Sequence, residues 1–333
     1  MDFRVNADQR ALQAGVRAYC ETQLPIEKLC ELEGKGLDRR LWKELGDLGI
    51  FSLRVPDSAG GSGLGMAEAV LVFEELGRAL VPGPLIWSQL AASLIEGAGS
   101  GEVVVGGLDL SQSTAGPQFI EHFSHLDCLL VLRADGIQRL DPKMLEAEEI
   151  SMPLDPLTPV HIVRELPGGE QIADAAGACR MRLEGAALLS GQMLGIAAET
   201  LELATDYAKV REQFGRPVGS FQAIKHMLAD MFVLQEVARA AAYAAGAIHD
   251  EPAAGQLGRA VSTARLLCSE AALKNSRTCI QVHGGMGYTW EMQPHYYLKR
   301  AWVCETMFGS SEEHADHIAA LVGEEADKGR EDI

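Results

Sequence analysis

Arg211 and Gln222 bracket the stretch with the clearest chemical content, R-E-Q-F-G-R-P-V-G-S-F-Q. A guanidinium fork and an amide on either side of a turn suit a planar or phosphorylated ligand, because the fork donates two parallel hydrogen bonds to one oxyanion. A companion run, C-I-Q-V-H-G-G-M-G-Y-T-W-E, spans Cys279 to Glu291. An ordinary helix-turn-helix corner with solvated polar side chains has the same pattern, and the residues alone leave both readings open.

The first stretch needs a helix on each side. Leu194, Ala197, Leu201, Ala204 and Ala208 recur at helical spacing and line one face. Gly215, Pro217 and Gly219 then break that helix, since proline cannot donate and glycine opens left-handed conformations. Arg211 sits in the last turn, where a cation suits the helix dipole. After the turn, Ile224, Met227/Leu228, Met231, Leu234, Ala238, Ala241, Ala245 and Ile248 form an inward stripe with a near-heptad period. Such alanine-rich helices can approach one another closely, within a bundle or across subunits. Helices are expected over about 187–211, 221–249, 252–281 and 293–320.

The rest of the chain divides by pattern. Residues 1–100 read as a helical domain. One helix opens at Ala7-Asp8-Gln9, a short one runs from Leu41 to Leu48, one from Met66 to Leu80, and one from Leu85 to Glu96. Val55 to Gly65 is too rich in glycine and proline for regular structure. Over 101–182 the character changes to short apolar or alternating runs between turns. Glu102–Gly106, Cys128–Arg133, Pro159–Val163 and Cys179–Leu183 read as strands of a small β domain. Residues 183–323 read as a four-helix bundle, and 324–333 as a charged, frayed tail. The fold class is mainly α with a small central β domain.

Composition removes several functions. The chain has 333 residues, 47% of them hydrophobic, and a formal net charge of -18. That length supports two or three domains. No Lys/Arg cluster is present, which argues against nucleic acid. Charged residues interrupt every apolar run before a spanning length, and the N-terminus is no signal peptide, so no membrane role is expected. The 7 cysteines occur singly and without C-x-x-C, which fits a reduced, cytoplasmic protein with buried thiols.

Other chemistry has weaker support. His122/His125 and His314/His317 each form H-x-x-H, but no third ligand has fitting spacing, so no metal is expected. Ser310 and Ser311 lack a His–Asp pattern or a nucleophile elbow. Cys304 reads as packing. No G-x-G-x-x-G follows a strand, which excludes the usual dinucleotide fingerprint.

R-x-x-F-G, F-Q and Q-V-H-G-G-x-G-Y, in this order and between these helices, resemble the C-terminal domain of the acyl-CoA dehydrogenases. The N-terminal third agrees. It carries Leu41-Trp42, Leu45-Gly46, Leu48-Gly49-Ile50, Val55-Pro56 and Gly60-Gly61-Ser62-Gly63-Leu64-Gly65. Glu74-Glu75-Leu76-Gly77-Arg78 matches the family's E-E-L-G-R helix. The resemblance implies FAD as cofactor and an acyl-CoA thioester as substrate. A carboxylate takes the α-proton of the thioester while the β-hydrogen leaves as hydride to the flavin.

The resemblance also exposes departures. Nothing over 101–182 matches the family's flavin-ring loop T-E-P-x-x-G-S-D or its W-I-T/S strand, and the chain is shorter than a usual member. One usual home of the base is the Glu of a Y-E-G-T-S turn, where this chain reads Met307-Phe308-Gly309-Ser310-Ser311. The other, at a helix start before R-x-x-F-G, falls on Gly185. Phe308 cannot take a proton and Gly185 has no side chain. Glu184 and, less so, Glu305 are the remaining weak candidates, and both read better as solvated or salt-bridged carboxylates. The positions that hold the ADP half of a neighbouring subunit's FAD are kept, namely Arg211, Gln213, Phe214, Phe221, Gln222, Gln281, Gly284 and Gly285. Arg211 would pair the pyrophosphate, and Gly284 and Gly285 would let the backbone approach it. His283 would orient the Gly turn or the flavin tail. Tyr288 and Trp290 would stack on adenine or fill the bundle.

This split resembles the base-less subunit of the two-gene, α2β2 acyl-CoA dehydrogenases that actinobacteria use on steroid side-chain thioesters. It implies a full-length paralogue as partner, carrying the catalytic Glu and sharing the FAD. Two alternatives stay open. One is a self-sufficient homo-oligomer with Glu184 or Glu305 as base. The other is a flavin-free scaffold, which would have no need of a phosphate-reading Arg211.

Overall fold

The computed structural model describes residues 4–112 and 116–331. Its helices are α1 (Ala7–Gln23), α2 (Ile26–Glu31), α3 (Arg39–Asp47), α4 (Met66–Arg78), α5 (Leu85–Ala91), α6 (Ala175–Val210), α7 (Gln222–Asp250), α8 (Leu257–His283), α9 (Pro294–Cys304) and α10 (Ser311–Glu331). The strands are β1 (Val105–Asp109), β2 (Gln118–Glu121), β3 (Cys128–Arg133), β4 (Gly136–Leu140), β5 (Ala147–Glu149), β6 (Val160–Val163), β7 (Glu170–Asp174), β8 (Glu212–Gln213) and β9 (Arg216–Pro217). The chain is mainly helical with a small β-rich middle, as the sequence indicates. It forms two interleaved compact units: Met1–Cys20, Met66–Leu80 and Ala186–Ile333 make one, Glu21–Gly65 and Val81–Gly185 the other.

In the first unit, α4 crosses α6 at close range because both carry glycine at the crossing. A Cβ on Gly77 would stand 2.0 Å from the Gln192 carbonyl oxygen, and one on Gly195 would stand 1.9 Å from that of Glu74. No side chain fits in either place, so substitution would force the helices apart. Asn275 on α8 donates to the carbonyls of Ala197 and Met231, both at 3.1 Å, and so ties α6, α7 and α8 together. Ala204, Ala208, Met231, Cys279 and Val282 form a buried cluster of the same three helices. Asp250, the last residue of α7, accepts hydrogen bonds from Met66 N at 2.7 Å and Ala67 N at 2.8 Å, capping α4.

The E-E-L-G-R motif acquires a structural role in this unit. Arg17 grips Glu75 with two hydrogen bonds, at 2.7 and 3.0 Å. Glu74 is buried and accepts from the Tyr243 hydroxyl at 2.6 Å. Burial raises the Glu74 pKa above the usual carboxylate range, against the opposing pull of Tyr243 and Arg239. Arg78 pairs with Glu199 at 2.8 Å and also with Glu202.

In the second unit, Asp38 caps α3 by accepting from Arg40 N and Leu41 N. One sheet has the order β1-β3-β4-β7, with β1 and β3 parallel and the other pairs antiparallel. The other, β2-β6-β5, is antiparallel throughout. Leu129 to Leu132 of β3 are fully buried, which explains their unbroken apolar run.

Five expectations need correction. Cys179–Leu183 is not a strand but lies inside α6, which starts at Ala175. Its alternation is too short to decide, whereas Ala178 and Met181 are buried at helical spacing and no breaker intervenes before the bundle. The segment 293–320 is two helices, broken where Phe308 (φ 52°) and Gly309 (φ 99°) turn left-handed. The helix expected to reach Glu96 ends at Ala91, and the one expected from 252 begins at Leu257. Finally, α10 carries the charged tail through to Glu331 instead of fraying at 324, and residues 332–333 lie outside the described residues.

Candidate functional site

The R-E-Q-F-G-R run folds as a two-residue hairpin. Glu212 pairs with Pro217 and Gln213 with Arg216, leaving Phe214 (φ 54°) and Gly215 (φ 77°) at the tip. Positive φ at both tip residues is the geometry that closes so short a hairpin, and a bulky residue adopts it at some cost. The Val218 amide donates to the Arg211 carbonyl at 2.7 Å, which fixes the far arm against the end of α6. Phe214 is 93% exposed and meets Phe221 edge-on at 6.1 Å, while the Arg216 guanidinium lies over the Phe221 ring at 4.2 Å.

Arg211, Gln213 and Gln222 are exposed, and Phe221 is half-buried. Gln213 donates to the neighbouring Glu212 carbonyl at 2.7 Å. Phe221 is the N-cap of α7 and offers no side-chain acceptor, so the first N–H groups of a 29-residue helix are available to an anion.

The second run closes α8. Gly284 (φ 61°) ends the helix, and a short 3-10 turn carries the chain through Gly285 to Tyr288. A Cβ on Gly284 or Gly285 would meet nothing within 4 Å, so the backbone here borders open space. Gln281, Gly284 and Gly285 are exposed. Exposure of 80% for Tyr288 and 62% for Trp290 removes the bundle-filling reading for both rings. Lys299 lies over the Trp290 ring at 4.1 Å.

One contact brings the two runs to the same end of the bundle. The Tyr207 ring stacks on His283 at 4.1 Å, one turn before Arg211 and one residue before Gly284. The Tyr207 hydroxyl donates to the His283 carbonyl at 3.4 Å. His283 itself is buried and donates from Nδ1 to the Cys279 carbonyl at 2.8 Å. Burial lowers its pKa, against the opposing hydrogen bond to the Cys279 carbonyl.

The base positions hold no base. Phe308 is buried at 1% exposure, and its carbonyl accepts from His314 Nε2 at 3.1 Å. Gly185 is buried well inside α6 and not at a helix start. Glu184 pairs with Arg54 at 2.8 Å. Glu305 accepts from the Ser311 amide at 3.1 Å through Oε1, while Oε2 is buried without a hydrogen-bond partner among the described residues.

A further feature escaped sequence reading. Arg265 of α8 is fully buried and reaches the turn that carries Phe308. It donates to the carbonyls of Cys304, Glu305 and Met307 at 3.4 Å and of Gly309 at 3.2 Å. The only available signal was an arginine among the small residues Val261, Ser262, Ala264, Cys268 and Ser269.

The remaining candidates are structural. His314 and His317 meet the Ser262 hydroxyl at 3.0 and 2.9 Å, and His125 donates to the Lys35 carbonyl at 2.6 Å. No group of three or more His, Cys, Asp or Glu could hold a metal among the described residues. All seven cysteines are free; burial pushes the Cys268 and Cys279 thiols up to about 12. Among the described residues no helix is long and apolar enough to cross a membrane.

Comparison with known proteins gives a consistent picture. Residues 181–323 match the family model "Acyl-CoA dehydrogenase, C-terminal domain", and residues 6–103 match "Acyl-CoA dehydrogenase, N-terminal domain". Acyl-CoA dehydrogenase IpdE2 of Mycobacterium tuberculosis is 34% identical over 80% of this chain and 81% of its own length. Two solved structures share the fold. A chain of the ChsE4-ChsE5 complex of M. tuberculosis superposes with a TM-score of 0.84 at 23% identity, over 97% of this chain and 99% of that one. A chain of a Tcur3481-Tcur3483 steroid acyl-CoA dehydrogenase variant gives 0.84 at 21% identity over the same shares.

Proposed function

The chain belongs to the acyl-CoA dehydrogenase family, and we propose that it is the base-less subunit of a heteromeric, FAD-dependent member. In this reading it donates the ADP-binding half of the flavin site to a full-length paralogue that carries the catalytic Glu. When bound, FAD supplies the hydride acceptor for α,β-dehydrogenation of the acyl-CoA thioester.

The observation that carries the reading is a contrast within one chain. Arg211, Gln222, Gln281, Gly284 and Gly285 are all exposed, while Phe308 and Gly185 occupy the two usual base positions. The donor set fits a pyrophosphate. An exposed guanidinium, an uncapped helix N-terminus and a bare Gly-Gly backbone all favour an anion. Exposed Tyr288 and Trp290 offer flat apolar surface to an adenine. This chain's residues thus bind and orient the cofactor tail, and proton abstraction falls to the partner.

The names of the similar proteins support a two-chain assembly and a steroid-derived acyl group, since one is a two-chain complex and another a steroid enzyme. The proposed assembly is an α2β2 heterotetramer. Flavin and mass stoichiometry tests it, on the chain expressed alone and then with its genomic neighbours. A colourless lone chain and a yellow heterotetramer with FAD shared between unlike chains are expected. A yellow homo-oligomer with FAD in every chain overturns it.

A second reading rests on Glu305, whose Oε2 has no hydrogen-bond partner among the described residues. It would make the chain self-sufficient with Glu305 as base. The Ser311 amide on Oε1 favours a helix-capping role instead. Glu305→Gln separates the two, since only a base loses turnover while the fold persists.

A further inference from the structure

The small sheet β2-β6-β5 of the second compact unit is apolar on both faces. Directly opposed residues of antiparallel strands share a face. The register therefore puts Ile120 and Val163 on one side and Phe119, Val160 and Ile162 on the other. Ile120 and Val163 are fully buried. Phe119 is 58% exposed, and Val160 and Ile162 are partly exposed. An antiparallel sheet with one face in water ordinarily carries polar side chains there. Beside Ile162 a groove of about 680 Å³ opens, walled by Met144 (78% exposed), Leu145 and Pro167. Contiguous apolar surface of this kind marks a contact site, and methionine adapts its shape to what it meets.

The edge of the sheet defines the occupant. Among the described residues β5 pairs with β6 alone, so its other side is open. The Ile150 amide continues the register and donates to the Val160 carbonyl at 3.0 Å. Alternation then turns the main-chain groups of Ala147 and Glu149 away from β6, toward the open side. An extended segment can hydrogen-bond to both as a further strand. Charge selects among such segments. Glu146, Glu148 and Glu149 lie along this edge and Glu165 lines the groove, all exposed. They outnumber the nearby cations, Lys143 and Arg164, the latter paired with Glu148 at 3.1 Å. Such charges discourage pairing with a like edge. A second copy of this chain is therefore a poor occupant, since two-fold pairing of the edges would set these glutamates against each other. A segment bearing Lys or Arg meets no such penalty.

We propose that the open edge of β5 takes up an extended, basic segment of another polypeptide as an added strand, with an apolar side chain of that segment in the groove beside Ile162. None of these residues belongs to the flavin half-site, so the proposal stands apart from the shared-flavin reading.

Three labelled peptides test it on the full chain by fluorescence anisotropy: K-V-K-V-K-V-K, the same sequence with Glu for Lys, and K-V-K-P-K-V-K, whose proline removes an amide from the strand. The first should bind, with the other two weaker by roughly tenfold or more. Reversing two exposed charges, in the double variant Glu148→Lys and Glu149→Lys, should weaken the first peptide by a similar factor. Ala147→Pro should do the same, because it removes an outward N–H and leaves the β5–β6 hydrogen bonds in place. If the proline lowers the melting temperature, the charge variant decides alone. No binding overturns the proposal, as does equal binding of the basic peptide and either control. Binding unchanged in the charge variant also overturns it, since the peptide would then sit elsewhere on an acidic surface. Self-association of the wild-type chain in sedimentation, abolished by Ala147→Pro, would make a second copy the occupant and overturn it too.

Discussion

The Tyr207 ring lies stacked on His283 at 4.1 Å, and this contact helps to join the end of α6 to the end of α8. Apart from Gln281, in the last turn of α8, every residue of the proposed flavin half-site lies on one or other of the turns beyond these two helix ends, or at the start of α7. Tyr207→Leu keeps apolar bulk but removes the stack and the hydroxyl. The expected result is a modest loss of stability, about 1 kcal/mol, with a clear rise in FAD dissociation from the assembled enzyme. Thermal melting and flavin release by filtration check the two parts separately.

Arg211 is exposed in the single chain, so Arg211→Ala should leave its melting temperature within a degree or two. In the heteromer it should weaken FAD retention by roughly tenfold to a hundredfold, the scale of a lost charge-assisted pair. Flavin content after gel filtration measures this. Unchanged flavin content removes Arg211 from the site.

Glu184 is held by Arg54 at 2.8 Å. Glu184→Gln in the assembled enzyme should keep turnover within a few-fold. A drop of about a thousandfold with the fold intact would identify Glu184 as a general base and return the chemistry to this chain.

Arg265 is fully buried and tethers four carbonyls around the Phe308 turn. Arg265→Ala leaves those carbonyls without their donor and opens a cavity. A loss of about 3 kcal/mol or more is expected by denaturant titration. Arg265→Lys should recover only part of it, because one ammonium cannot reach the same fan of acceptors.

Glu74 makes stability depend on pH in a direction opposite to most carboxylates. Its folded-state pKa is raised above 4.5 by burial, so the native chain binds its proton more tightly than the unfolded chain does. The contribution is fully present below the unfolded pKa and is lost as pH rises through the folded one. Glu74→Gln lacks this term. Its melting temperature relative to wild type should therefore improve from about pH 4 to pH 7. A difference independent of pH, or one that worsens, refutes the assignment.

Much of the local geometry of the candidate site was legible because it depends on residue type at short range. Gly215, Pro217 and Gly219 announce a turn, Gly284-Gly285 a helix end, and Leu194, Ala197, Leu201 and Ala204 a buried helix face. The strand expected at Cys179–Leu183 failed because five alternating residues fit either period. Length decided it, since α6 runs for 36 residues without a breaker. The break at Phe308 was missed as a helix end because a bulky residue seldom adopts positive φ, and what holds it there comes from Arg265, far away in the chain.

By itself, then, the sequence determined the family, the helical class, the absence of a carboxylate at positions 308 and 185, and the residues proposed to meet a phosphate. These follow from side-chain chemistry and local spacing. Only the tertiary structure decided which polar groups are paired. Tyr207 meets His283, Arg265 meets the Phe308 turn, and the Gln89 amide is buried without a hydrogen-bond partner among the described residues. Hydrogen-bond satisfaction and burial are set by residues distant in sequence, so no local pattern could have revealed them.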